Sequence, residues 1–398
     1  MMQTTDLYIN KADCCGCELC SVSCPKSIIH MKPDEEGFLY PLIESDENCI
    51  NCKLCLKVCP EKTPGRIFNE IQSAYGGFVN ETADLAKSAS GGFATAINRA
   101  FINKMKGVVY GVAYSKDLGT ADYKRVTTTE ELESFRTSKY IQAHKGDIFK
   151  NILNDLRNGL KVLFIGLPCE VSAVYHKVGS ESKNLYTVSL ICHGPTSPKV
   201  QSDFITQLKQ KNVTPITFFS VRYKLKGWKP YFIHAEYQSG RPYNKEFGVS
   251  DYGIAFQYLK RPSCSSCKYK YGNKEFGILS DVIIGDFHAV TKDMPHFNPM
   301  GVSEACVMTE QGKELISIIK DTCFVEPIPL EKVLTGNRAL YESIPERKER
   351  QMFVTTYREK GLHEACSLKE IKYPIIKAYY SKKFRATFRN LLKALHLK

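Results

Sequence analysis

Two copies of one cysteine pattern near the start of the chain constrain its fold more than any other feature. The first copy contains Cys14, Cys17, Cys20 and Cys24, and the second contains Cys49, Cys52, Cys55 and Cys59. Both fit C-x2-C-x2-C-x3-C-P, the spacing with which bacterial ferredoxins bind two 4Fe-4S clusters, the fourth cysteine of each copy ligating the other cluster. We therefore predict one cluster on Cys14, Cys17, Cys20 and Cys59 and another on Cys49, Cys52, Cys55 and Cys24. Cys15 is left over and is predicted to be a packed thiol without a ligand role.

Zinc and disulfide bonds are the alternatives for these cysteines. Zinc sites usually pair two ligand couples across a longer loop. A disulfide framework needs an oxidising compartment, and the polar start of the chain predicts no signal peptide. Iron–sulfur clusters are therefore favoured. Sixteen cysteines in 398 residues favour a reducing compartment, so we predict a cytoplasmic protein.

Charge is distributed unevenly along the chain, whose net charge is +13. Residues 1–70 have a net charge of −4, and residues 369–398 have a net charge of +8. This asymmetry suggests that a partner docks in a fixed orientation at the acidic end, or that the basic end contacts an anionic surface. No motif indicates nucleic-acid binding. The basic end contains an apolar stripe at helical spacing, predicted to contact either a membrane surface or the protein itself. That stripe consists of Phe384, Phe388, Leu391, Leu392 and Leu395.

The remaining pattern predicts three segments: a two-cluster domain over residues 1–70, a larger domain over residues 71–345 and a basic tail over residues 346–398. A linker is expected at 61–66. Strands at 107–113, 160–166, 185–191 and 281–288 alternate with helices at 93–105, 148–156, 198–211 and 310–320. An antiparallel excursion is expected at 216–237. The predicted fold class is therefore mixed α+β and α/β, a small ferredoxin-like domain followed by a mixed-sheet α/β domain.

Four further cysteines stand in loops of the larger domain. Cys169 and Cys192 follow predicted strands, and Cys264 and Cys267 form a C-x2-C pair. From spacing alone, these four soft ligands suit either a third 4Fe-4S cluster or zinc. The turn Ser90-Gly91-Gly92 precedes a helix, where backbone amides can approach a phosphate, although a plain helix start has the same pattern.

Motifs from residue 87 to residue 341 resemble the beta subunit family of coenzyme F420 hydrogenases and dehydrogenases. The resembling motifs are Ser88–Gly92, Thr137–Gln142, Gly166–Glu170, Ile191–Gly194, Arg261–Cys267 and Ile284–Phe287. The resemblance implies bound FAD and a 4Fe-4S cluster on Cys169, Cys192, Cys264 and Cys267. It makes Ser90, Gly91, Gly92, Ser138, Lys139 and Tyr140 the candidates for FAD contacts, with Gly166, Pro168, His193 and Gly194 bordering the cofactor. Many members have Gln where this chain has Glu170, and a carboxylate there would change the hydrogen bonding near the cluster or flavin.

The function expected from these features is that of an iron–sulfur flavoprotein oxidoreductase. It would pass electrons between its clusters and FAD, with hydride transfer to or from a small substrate such as coenzyme F420 or a sugar or polysaccharide precursor. A ferredoxin or another one-electron protein would be its partner. His193, Asp286 or His288 could handle the proton. The alternative is an electron-relay subunit of a larger complex with no substrate chemistry of its own.

Overall fold

The computed structural model describes residues 2–64, 70–179 and 182–394, without the side chains of Thr5, Lys382, Lys383 and 386–394. The N-terminal part folds around an antiparallel hairpin that aligns Ile29 with Ile43. Its elements are α1 (Thr4–Leu7), α2 (Leu19–Ser23), β1 (Ile29–Pro33), β2 (Leu39–Ile43) and α3 (Leu54–Lys57). The linker expected at 61–66 lies partly outside the described residues.

An eight-stranded mixed sheet organises the rest of the chain, in the order β13-β3-β12-β11-β7-β6-β4-β5. Strands β4, β6, β7 and β11 are mutually parallel, and the other neighbours pair antiparallel. Strands β8, β9 and β10 form a separate antiparallel sheet. The strands are β3 (Ser73–Val79), β4 (Val108–Tyr114), β5 (Ala121–Val126), β6 (Val162–Gly166), β7 (Leu185–Leu190), β8 (Ile216–Tyr223), β9 (Phe232–Tyr237), β10 (Tyr243–Glu246), β11 (Val282–Asp286), β12 (Ser303–Val307) and β13 (Cys323–Pro327).

Helices cover both faces of the large sheet, because alternate residues of its strands are buried on opposite sides. Val109 and Leu163 belong to the core beneath α5 and α10, and Tyr110 and Phe164 belong to the core beneath α6, α7 and α8. The helices are α4 (Thr82–Lys87), α5 (Phe93–Met105), α6 (Ile148–Arg157), α7 (Pro168–Val178), α8 (Pro198–Lys211), α9 (Asp251–Tyr258), α10 (Glu310–Ser317), α11 (Leu330–Gly336), α12 (Arg350–Lys360), α13 (Leu362–Ser367) and α14 (Lys369–Ala394).

The mixed fold class predicted from the sequence is confirmed, as are the strands and helices predicted for the larger part, within a few residues. Strands β3, β5, β12 and β13, which complete the sheet on its antiparallel sides, were not anticipated. Leu19, Phe38 and Tyr40 of the N-terminal part belong to the same hydrophobic core as α6 and α8. The two parts therefore share a buried interface.

The C-terminal region begins inside this core. Phe353 and Ala365, on α12 and α13, are fully buried against it. Helix α14 then runs outward, with Tyr373 and Tyr380 exposed. The helix predicted at the basic end is present to Ala394, but the side chains of Phe388, Leu391 and Leu392, and all of Leu395, lie outside the described residues. Within the described residues, no helix combines the length and apolarity needed to cross a membrane.

Candidate metal centres and cofactor site

Two cavities adjoin the eight N-terminal cysteines. One cavity is lined by four of the cysteines predicted to share a cluster, together with Cys15 and Cys55. A second cavity is lined by the other four. We call Cys14, Cys17, Cys20 and Cys59 the inner group and Cys24, Cys49, Cys52 and Cys55 the outer group. Each group thus combines three cysteines of one copy with the fourth of the other, around space that side chains do not fill.

The backbone follows the same path in both cysteine loops. Gly16 and Asn51, two residues after the first cysteine of each copy, have φ of 71° and 53°, in the left-handed region. Glu18 and Lys53, one residue after the second cysteine, have φ of 67° and 56°. Left-handed residues turn the chain sharply, so that successive cysteines can point toward one centre.

The four cysteines of the larger part also come together, where the parallel strands end. Cys169 begins α7 directly after β6, and Cys192 follows β7, so both lie at the same edge of the sheet. The thiols of Cys192 and Cys267 both influence the pKa of Cys264, and that of Cys267 influences the pKa of Cys169. Gly194 lies close against this site, because a Cβ added there would be 2.8 Å from Cβ of Cys264. We call these four residues the body group.

All sixteen cysteines are free thiols. Among the described residues, no three His, Cys, Asp or Glu side chains are close enough to share one metal ion. A cubane cluster spreads its four thiolates over four separate irons, so such sulfur positions are compatible with cluster ligation.

Cys15 lies between the inner group and the body group. Its pKa is lowered chiefly by the neighbouring thiols of Cys169 and Cys17, one from each group. The residue left over by the cysteine pattern therefore packs where the two groups approach each other.

A buried cluster of charged groups lies between the Ser-Gly-Gly turn and the end of β11. Arg222 on β8 donates hydrogen bonds to the carbonyl of Ala89 (2.9 Å), the hydroxyl of Tyr140 (2.9 Å) and Oδ2 of Asp286 (2.7 Å). Lys224 donates to the carbonyls of Leu85 and Ser90. Burial lowers the pKa of Lys224 to about 7.

This cluster brings together only some of the residues predicted to contact FAD. Tyr140 contacts Arg222, and the carbonyl of Ser90 accepts from Lys224. Gly91 and Gly92 follow Ser90 directly, and Gly92 precedes α5 with φ of 89°. Gly166, Pro168 and Gly194 lie instead on the side of the body group. Ser138 is half-buried, and Lys139 donates to the carbonyls of Ser134 and Arg136.

Sequence reasoning missed Arg222 and Lys224. A polar residue at alternate positions of a strand is normally read as solvent-facing, and here the alternation of Val221-Arg222-Tyr223-Lys224 was the only signal. Their partners, 64 and more residues away in sequence, could not be identified from it.

Two of the three predicted proton-handling residues, His193 and Asp286, differ in ionisation. Desolvation, with nearby Lys260 and Lys270, lowers the pKa of His193 to about 4, although the residue is exposed at the surface. Burial of Asp286 acts against its charge, but Arg222 and His288 hold its pKa below the ordinary value. At neutral pH His193 is therefore neutral and Asp286 is an ion-paired carboxylate.

Comparison with known families decides the relationship of the chain. Residues 159–332 match the family described as the C terminus of the coenzyme F420 hydrogenase/dehydrogenase beta subunit, and residues 13–63 match a 4Fe-4S dicluster domain. Residues 159–332 belong to the coenzyme F420 hydrogenase/dehydrogenase beta subunit family. The family match includes all four cysteines of the body group, while the motifs at 88–92 and 137–142 lie outside it.

Two individual proteins resemble this beta subunit family member. Ketoisovalerate oxidoreductase subunit VorC of Methanothermobacter marburgensis is 36% identical over 55 residues, 13% of this chain and 68% of that protein. A chain of the F420-reducing [NiFe] hydrogenase complex from Methanosarcina barkeri, solved as a xenon derivative, aligns with a TM-score of 0.46 and 16% identity, covering 76% of this chain and 92% of that one. The family assignment and the dicluster domain together identify an iron–sulfur redox protein.

Glu170 uses both of its carboxylate oxygens in buried contacts. Its Oε1 forms an ion pair with Nζ of Lys145 at 2.9 Å, and its Oε2 accepts from the hydroxyl of Tyr123 and the amide of Leu167. Lys145 donates in turn to the carbonyl of Gly16 in the first cysteine loop. The carboxylate therefore helps to hold the N-terminal part against the body group.

Glu304 on β12 is a second buried carboxylate, linked to Asp286 through Asn337. Asn337 donates its Nδ2 to Oε1 of Glu304 at 2.7 Å and to the carbonyl of Asp286. Oε2 of Glu304 has no hydrogen-bond partner among the described residues. Burial raises the pKa of Glu304 to about 9, against the opposing effect of Asn337.

Replacing Glu304 with glutamine should stabilise the protein at alkaline pH. Between pH 4.5 and about 9 the folded state retains a proton that the unfolded state has released, so the stability of the native protein falls as pH rises through this window. Glu304→Gln removes that dependence. It should raise the free energy of unfolding by on the order of 3 kcal/mol at pH 8 and by only a small amount at pH 5. Urea unfolding at both pH values measures it, with Glu331→Gln as an exposed control. An equal difference at both pH values would contradict the burial of an uncharged Glu304.

Proposed function

We propose that this protein is an iron–sulfur flavoprotein oxidoreductase that passes electrons between its ferredoxin-type clusters and FAD, with hydride transfer to or from a small substrate. One observation carries the proposal: the inner group and the body group meet at Cys15, so cysteines from both parts of the chain converge on one buried interface. Such an arrangement suits stepwise transfer of electrons from one part to the other.

The cysteines present fit the clusters. The inner and outer groups are each four thiols around an unfilled cavity, and the body group supplies four more soft ligands at one edge of the sheet. In the body group, Gly194 donates its amide to Sγ of Cys192 at 3.2 Å, a contact that would stabilise a thiolate. We assign a third 4Fe-4S cluster to this group, in preference to zinc.

We assign the FAD site to the Ser-Gly-Gly turn and the cations beside it. Gly92 precedes α5 with φ of 89°, and the first amides of this 13-residue helix can bind a phosphate. Gly91 packs closely against the backbone of Gly77 and Ser303. Arg222 supplies positive charge next to that turn, and Lys224, whose pKa burial lowers to about 7, donates to the carbonyl of Ser90. When bound, a flavin exchanges single electrons with clusters and hydride with an organic substrate.

We assign supporting roles to Asp286 and His193, two of the residues expected to handle the proton. His193 follows Cys192 and keeps part of its side chain at the surface, while Asp286 is fixed by Arg222 and by the hydroxyl of Tyr231. We propose that Asp286 orients Arg222 toward the cofactor and that His193 serves as a neutral hydrogen-bonding group at the substrate. Coenzyme F420 and a sugar or polysaccharide precursor are the candidate substrates, the first being named in the description of the matched family.

The outer group is the proposed contact for a one-electron protein such as ferredoxin. Cys52 is exposed, and Ile50 is 58% exposed beside it. Lys26 and Lys53 line the same cavity, so the surface at this group is locally basic although the segment as a whole is acidic. A small acidic carrier would suit it. We place the protein in the cytoplasm, where free thiols persist.

A rapid-mixing experiment tests the proposal. Anaerobic protein is mixed with reduced ferredoxin, and the bleaching of bound FAD is followed by absorbance. Fast bleaching in the isolated chain, slowed by Cys52→Ala, is expected. If the protein accepts electrons into clusters but contains no flavin, the alternative of an electron-relay subunit is correct. The relative VorC is named as a subunit of an oxidoreductase, which is the observation that favours this alternative.

The end of helix α14 is proposed to contact an anionic membrane surface. Tyr373 and Tyr380 are exposed seven residues apart, on one face, and Lys372, Lys377 and Arg385 are exposed nearby. Removing residues 381–398 deletes six basic residues, each worth about 1 kcal/mol at an anionic surface. Binding to phosphatidylserine vesicles should therefore weaken more than about tenfold, as measured by sedimentation. Phosphatidylcholine vesicles are the control, and undiminished binding of the shortened protein to phosphatidylserine would refute the contact.

A further inference from the structure

Arg261 is the largest side chain that is almost completely buried, with 1% of its surface exposed. It lies between the N-terminal part and the loop that carries Cys264 and Cys267. Its Nε donates to the carbonyl of Cys14 at 2.8 Å, and its Nη1 donates to the carbonyl of Leu39 and to Oε1 of Gln142, both at 3.1 Å. The guanidinium also lies over the ring of Tyr40, 4.1 Å from its centroid.

The remaining nitrogen of Arg261 is directed at a predicted ligand. Nη2 donates to Sγ of Cys14, in the inner group, at 3.5 Å. The charge of Arg261 also acts on Cys15 and on Cys264 of the body group. Among the described salt bridges, none pairs Arg261 with a carboxylate. Its positive charge is therefore directed at sulfur atoms.

Gly16 makes this approach possible. A Cβ at this position would be 2.4 Å from Nε2 of Gln142 and 2.7 Å from Cζ of Arg261. Gln142 donates to the carbonyl of Gly16 at 3.1 Å and so fixes the loop on the other side. The first cysteine loop is thus held against Arg261 by contacts on its backbone, and the guanidinium cannot move away without leaving buried hydrogen-bond donors unsatisfied.

We propose that Arg261 is a positioning residue that raises the reduction potential of the inner cluster above that of the outer cluster. A reduced cluster carries one more negative charge, which a nearby cation and an N–H···S hydrogen bond both stabilise. The effect is strong in a buried site, where charge is poorly screened. Lys26 and Lys53 at the outer group are solvent-exposed, so their charges are screened and have a much smaller effect on the reduction potential of the outer cluster. Electrons entering at the outer group would thus be drawn toward the inner group, beside the body group.

This inference rests on the clusters assigned in the proposed function, but its test measures the midpoint reduction potentials of those clusters. In an EPR-monitored redox titration of the full chain, the inner cluster is identified as the ferredoxin-type signal that persists in Cys52→Ala. Its midpoint potential should fall in Arg261→Gln and fall less in Arg261→Lys, which retains the charge. The midpoint potential of the outer cluster should stay unchanged in both.

Arg350 provides the matched control. It is also a largely buried arginine between the N-terminal part and the body, but it forms an ion pair with Glu36. Arg350→Gln should leave the inner potential unchanged. The role of Arg261 would be overturned if Arg261→Gln kept its full iron content and an unchanged midpoint potential of the inner cluster. It would also be overturned if Arg350→Gln shifted that midpoint potential by the same amount. Neither result affects the proposed electron route, which fails only if the wild-type protein lacks flavin or its flavin is not reduced.

Discussion

Cys264→Ala should lower the iron content of the purified protein from about twelve to about eight atoms per chain, because it removes one ligand of the body group. Burial raises the pKa of the Cys264 thiol, and the neighbouring thiols of Cys192 and Cys267 raise it further. The loss should abolish the reduction of flavin by ferredoxin, while both ferredoxin-type EPR signals remain. Iron and sulfide analysis of anaerobically purified protein measures the change.

Cys366→Ala is the matched control for that variant. Cys366 is a buried cysteine, but it lies on α13 and donates to the carbonyl of Asp251. Its replacement should leave iron, sulfide and flavin content unchanged. Wild-type protein with about eight irons and one tightly bound zinc, and a Cys264→Ala variant that loses only the zinc, would show that the body group is a zinc site.

Lys145→Met should lower the free energy of unfolding by about 3–5 kcal/mol, because it leaves the carboxylate of Glu170 buried without its cation. The side chains of Lys145 and Glu170 are 2% and 6% exposed, so solvent cannot replace the lost partner. The same substitution removes the hydrogen bond to the carbonyl of Gly16 and should loosen the first cysteine loop. Anaerobic urea unfolding followed by circular dichroism measures the loss.

Two further variants separate the ion pair from other effects of Lys145→Met. The double variant Lys145→Met/Glu170→Gln removes both charges and should recover most of the stability. Lys11→Met breaks a pair with Asp34 in which the lysine is 36% exposed, and it should cost less than about 1 kcal/mol. A double variant less stable than Lys145→Met would mean that the charges of Lys145 and Glu170 do not compensate each other.

The cysteine groups were predictable because ligand spacing is a local property of the chain. Three cysteines at intervals of three residues can reach one cluster, and the exchange of the fourth follows from the repeated pattern. The parallel strands β6, β7 and β11 were predictable for a similar reason, since each is a short apolar run followed by a turn. Their shared edge places Cys169, Cys192 and Asp286 together.

The buried polar contacts could not be predicted, because they join residues far apart in sequence. Arg261 and Cys14 are separated by 247 positions, and Arg222 and Ala89 by 133. Cys15 was expected to be a packed thiol, and only the assembled interface shows that it packs between Cys17 and Cys169. Strand β12 was missed because Glu304 interrupts its apolar pattern, although that residue is fully buried.

The iron, sulfide and flavin content of anaerobically purified protein tests the central claim most directly. The account predicts about twelve irons, about twelve sulfides and one FAD per chain, with EPR signals from three clusters after reduction. About eight irons with no flavin would leave the dicluster domain intact but contradict the proposed oxidoreductase site between the Ser-Gly-Gly turn and the body group.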